Sequence, residues 1–105
     1  MGLLDRFKKK GPPFPFEDAP NTACIICRHV LDEGSDILYV SHDEEDGMWQ
    51  FLCGGSHEME DAKVVSLYAA FMTDPSVGKL ANMPFGCVAE RKSVAAEWVI
   101  HKEKQ

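Results

Sequence analysis

Two runs of strand-forming residues, Ile37 to His42 and Met48 to Cys53, stand on either side of the short segment Asp43 to Gly47. The first run alternates Ile37, Tyr39 and Ser41 with Leu38, Val40 and His42, and the second sets Trp49 and Phe51 against Met48, Gln50 and Leu52. An acidic, glycine-ended loop between two such runs predicts an antiparallel hairpin. A lone hairpin is marginal in water, so the rest of the chain has to supply more strands and an apolar cover.

The flanking segments read accordingly. Ala23 to Leu31, with Cys24, Ile25, Ile26, Cys27, Val30 and Leu31, reads as a buried strand running to a turn at Asp32 to Asp36. After Gly54 and Gly55 the period changes. Val64, Val65, Leu67, Tyr68, Phe71 and Met72, interleaved with Lys63, Ser66, Ala70 and Thr73, predict one main helix from about Glu60 to Thr73. Asp74-Pro75 has the cap and first-turn chemistry of a short second helix reaching about Leu80. Cys87 to Glu90 and Glu97 to His101 read as two further short strands. The predicted fold class is therefore α+β: an antiparallel sheet of four or five strands, one main helix packed on a face, and a short second helix.

Residues 1–22 are set apart as an N-terminal arm. Leu3, Leu4 and Phe7 among Arg6, Lys8, Lys9 and Lys10 predict a short basic helix, and Pro12, Pro13, Pro15 and Pro20 keep the next stretch extended. Phe14 and Phe16 between those prolines are expected to pin the arm onto the domain formed by residues 23–105.

With 105 residues, the chain is expected to form one small domain. Its 11 Lys+Arg against 17 Asp+Glu sum to a charge of -6. The layout is uneven. No Lys or Arg lies between Arg28 and Lys63, whereas Asp32, Glu33, Asp36, Asp43, Glu44, Glu45, Asp46, Glu58, Glu60 and Asp61 all do. An acidic middle argues against nucleic acid or an anionic membrane as partner and suits a basic protein. The candidate binding residues are Asp43, Glu44, Glu45, Asp46, Trp49, Glu58 and Asp61. The absence of a long apolar run and of a secretory leader pattern leads to the expectation of a cytoplasmic protein with reduced, mostly buried cysteines. Self-association through a strand edge is a further expectation.

Chemical motifs are sparse. Cys24-x-x-Cys27, with Cys53, Cys87, His29, His42 and His57 as possible partners, is the one metal candidate. Structural zinc sites usually draw on two such cysteine pairs, and residues three apart on a strand face opposite ways. Cys24 and Cys27 are accordingly weak candidates, and no metal and no other cofactor is expected. Asp43 to Gly47 is too short for a calcium loop of the EF-hand kind. Ser41, His42 and Asp43 are neighbours on a strand, where side chains point apart, so they make no catalytic relay. The chain reads as a non-enzymatic binding protein, with a Cys-based metal or redox site as the alternative.

Taken in order, Cys24, Tyr39-Val40, Asp46-Gly47-x-Trp49-x-Phe51-x-x-Gly54, Asp61, Asp74-Pro75-Ser76, Leu80, Pro84-x-Gly86, Arg91 and Trp98 resemble the bacterial immunity-protein thirty-three-like family, first catalogued as a domain of unknown function. The resemblance spans about residues 23–99. Met48 departs from it, since many relatives place Trp directly after the glycine. What it implies is a small α+β protein that neutralises a cognate toxin by binding it, with no catalytic residues and no cofactor. Trp49, Phe51 and Trp98 read as core aromatics, and Arg91 as a surface ion-pair partner.

Overall fold

The computed structural model describes residues 13–103, so the basic helix expected over residues 1–10 lies outside the described residues. Strands β1 (Ala23–Cys27), β2 (Tyr39–His42), β3 (Trp49–Leu52), β4 (Ala62–Ser66), β5 (Cys87–Glu90) and β6 (Val99–Lys102) form one sheet in the order β4-β1-β3-β2-β5-β6. Among the described residues, helices α1 (Arg28–Glu33) and α2 (Leu67–Thr73) and two 3-10 turns, Met59–Asp61 and Pro75–Leu80, complete the set of elements. The class is α+β as expected. The sheet has six strands rather than four or five, and it is mixed: β1 runs parallel to β3, with Ile26 opposite Phe51.

The expected hairpin is β2–β3, with Val40 opposite Phe51 and His42 opposite Trp49. Two other segments differ from the sequence reading. The run from Ala23 does not stay extended to Leu31; it turns at Cys27 into α1, which ends at Gly34 with φ 75°. That left-handed position suits glycine, which has no Cβ to clash. The long helix expected over residues 60–73 is a 3-10 turn, then a strand, then a helix. Residues 62–66 pair antiparallel with β1 along its whole length, Cys24 facing Val65 and Ile26 facing Lys63. Without β4, β1 would be an edge strand with unpaired backbone groups, and satisfying them outweighs helix periodicity here. The helix begins only where Ser66 Oγ accepts a hydrogen bond from Ala69 N. Asp74 caps the Pro75–Leu80 turn in the same way, as its sequence implied.

Strand alternation sorts the core. Cys24 and Ile26 of β1, Val40 of β2, Trp49 and Phe51 of β3 and Ala89 of β5 are buried on one face, under Leu67, Ala70, Phe71, Val77 and Leu80. The arm closes this layer. Phe16 meets Trp49 edge-on at 5.0 Å and Phe14 meets Phe71 at 5.7 Å, contacts that add about 0.5–1.5 kcal/mol each beyond the area they bury. Arg91 is no surface residue. Its side chain is 2% exposed, donates to Ile37 O from Nε and Nη2 at 3.0 and 2.8 Å, and reaches Asp74 Oδ2 at 2.8 Å. Trp98 stacks on the guanidinium at 4.1 Å. Among the described residues, no helix is long and apolar enough to cross a membrane.

Candidate metal centre

At the end of the β1–β3 pair, four side chains from two short segments converge. Cys27 ends β1, His29 lies in the first turn of α1, Cys53 follows β3, and His57 comes from the loop leading to β4. The donor atoms of Cys27, His29, Cys53 and His57 all lie within 4.8 Å of one another. Cys53 Sγ is 3.8 Å from His29 Nδ1 and 3.4 Å from His57 Nε2. In a tetrahedral Zn2+ site, with bonds of about 2.3 Å to sulfur and about 2.0–2.1 Å to nitrogen, neighbouring donors stand about 3.3–3.8 Å apart. Two separations already have that value, and the others need only a modest contraction.

Local chemistry explains why the chain folds this way. Cys27 is the residue at which β1 becomes α1, so the turn into the helix brings His29 beside it. Parallel pairing of β1 with β3 then sets Cys53, one residue beyond β3, next to Cys27. Gly54, at φ 87°, and Gly55 allow the chain to turn back at once, and Gly55 N donates to Cys53 Sγ at 3.5 Å. The loop closes on Asp61. Its Oδ2 accepts from Glu58 N at 2.8 Å, and its Oδ1 accepts from Arg28 Nε at 2.8 Å, which ties the end of the loop to α1. Glu58 N–H first, and Arg28 after it, hold the Asp61 carboxyl below its usual range, against the opposing effect of burial.

Burial and electrostatics separate the cysteines. Cys27 is buried, and burial pushes its thiol up, partly offset by the backbone N–H groups of Val30 and Cys53. Cys53 and both histidines are half-buried. A cleft of about 110 Å³ lined by Cys27, His57, Glu58 and Ala62, among others, borders two of the four donors. Cys24 takes no part. It points to the opposite face of β1, is fully buried in the core, and burial alone raises its thiol to about 12. Of the two weak candidates in the sequence, the structure brings only Cys27 to a cluster. The Cys-x-x-Cys spacing was the wrong signal; the informative one was a pair of mixed motifs, Cys27-x-His29 and Cys53-x-x-x-His57.

The other predicted site residues are scattered. Glu44, Glu45 and Asp46 are exposed on the β2–β3 turn, while Asp43 is engaged by Gln50 Nε2 at 2.9 Å. Trp49 is 1% exposed and stacks on His42 at 3.8 Å, so it offers no face to a partner. Asp61 is likewise buried and committed to Glu58 and Arg28, whereas Glu58 is exposed. His42 is buried with Nδ1 2.8 Å from Met83 O, on the sheet face opposite Ser41, and no relay forms. No family model, no curated protein and no solved structure matches the chain.

Proposed function

We propose that the protein is a metal-binding domain in which Cys27, His29, Cys53 and His57 hold a single Zn2+ ion. The convergence of two thiols and two imidazoles within 4.8 Å carries this reading. Sulfur and imidazole donors favour Zn2+ over the oxygen-seeking Ca2+ and Mg2+. Four protein donors leave no open position for a substrate, which supports a structural ion that clamps the 53–58 loop against β1 and α1 rather than a catalytic one. Elemental analysis of reduced, purified protein should find one zinc per chain. Cobalt substitution should give the visible absorption of a tetrahedral, thiolate-ligated ion, lost in Cys53→Ser. Metal-free protein that also fails to take up Co2+ would refute the reading.

A second reading, which the first does not exclude, is that of an immunity-like protein docking a basic partner. The observation favouring it is the exposure of Glu44, Glu45 and Asp46 together at one turn. Rescue of cells expressing a toxin encoded beside its gene tests that reading directly.

A further inference from the structure

The donor set contains two sulfurs and no more, and they differ in access: Cys53 is half-buried, whereas Cys27 is 1% exposed. They close neighbouring strands. With strands about 4.8 Å apart and an offset of one residue, or about 3.3 Å, ideal strand geometry would set the two Cα atoms about 6 Å apart. A disulfide spans Cα separations of about 4.4–6.8 Å. Gly54 and Gly55, directly after Cys53, leave its backbone free to make the last adjustment.

We propose that the centre is an oxidation-gated zinc site: a hydroperoxide, of which hydrogen peroxide is the simplest, joins Cys27 to Cys53 and expels the ion. This rests on the metal-binding reading above. The accessible Cys53 thiolate attacks one peroxide oxygen; the O–O bond breaks, hydroxide leaves, and Cys53 becomes a sulfenic acid. The Cys27 thiolate then attacks the Cys53 sulfur, forming the S–S bond and releasing the second hydroxide. Two thiolates have lost two electrons, the peroxide has gained them, and solvent protons turn both hydroxides into water. His29 and His57 alone cannot retain the ion, because half of its ligands are gone. Cys24, on the far side of β1 in the core, is out of reach of this chemistry.

The test uses the full chain, reduced and loaded with zinc, titrated with hydrogen peroxide while a chromophoric chelator reports free zinc and peptide mapping reports the cysteines. Zinc should appear in step with a Cys27–Cys53 disulfide, one ion per bond, and reductant should restore binding. Cys24→Ser should behave as the wild type. Cys27→Ser should stop at the sulfenic acid on Cys53, captured by dimedone. Zinc retained under peroxide, or released while Cys27 is still a free thiol, overturns the gating but leaves the metal site standing. Reduced protein that holds no zinc before peroxide is added overturns both.

Discussion

Zinc should stabilise this protein by an amount set by mass action, and His57→Ala should remove most of it. The ion would join Cys27 and His29 to Cys53 and His57, segments separated by a long stretch of chain and brought together only in the folded state. Binding to the folded state alone stabilises by about 2.7 kcal/mol when free zinc is a hundredfold above Kd. For a domain of this size each kcal/mol moves Tm by about 4–8 °C, so the ceiling is a rise of about 10–20 °C. The local Cys27-x-His29 pair also offers the unfolded chain a weak site, which lowers the expectation to about 5–15 °C. Thiol ligands must lose their protons, so the rise should grow with pH between about 6 and 8. His57 is half-buried in a surface loop, and its removal should change metal-free stability by less than about 0.5 kcal/mol. Differential scanning fluorimetry with buffered zinc, against the same protein in chelator, reads each quantity. A wild-type Tm that shifts by less than about 2 °C, or an equal rise in His57→Ala, would sink the reasoning.

Arg91→Met should destabilise by about 2–4 kcal/mol in urea unfolding. It strands the Ile37 carbonyl and the Asp74 carboxylate, the latter 23% exposed and so partly rescued by water. Asp61 is held below the ordinary carboxylate range, so the stability it contributes is present above about pH 4 and is lost as pH falls through its lowered folded value. Acid unfolding followed by circular dichroism should therefore be less steep in Asp61→Asn. Charge reversal of Glu44, Glu45 and Asp46 together should leave folding intact and slow association with any basic partner, with the difference shrinking in high salt. Surface plasmon resonance at two ionic strengths checks it, and unchanged association rates would dismiss the acidic turn as a docking element.

Short-range signals in the sequence carried a good part of the fold. The β2–β3 hairpin, the Asp74 cap and strand β5 all depend on residues within a few positions of one another, where alternation and capping act directly. What only tertiary structure decided depends on partners far along the chain. Residues 62–66 have an apolar pattern that fits a helix, yet they form a strand because β1 needs a second neighbour. Arg91 becomes an interior cation because Ile37, Asp74 and Trp98 surround it. The candidate metal centre follows the same rule. Its four residues were all legible as possible ligands, but a cysteine and a histidine spaced for one chain segment gain a second pair only when parallel β1 and β3 end side by side. Periodicity reports which face a residue takes, and it is silent about which distant strand will share that face.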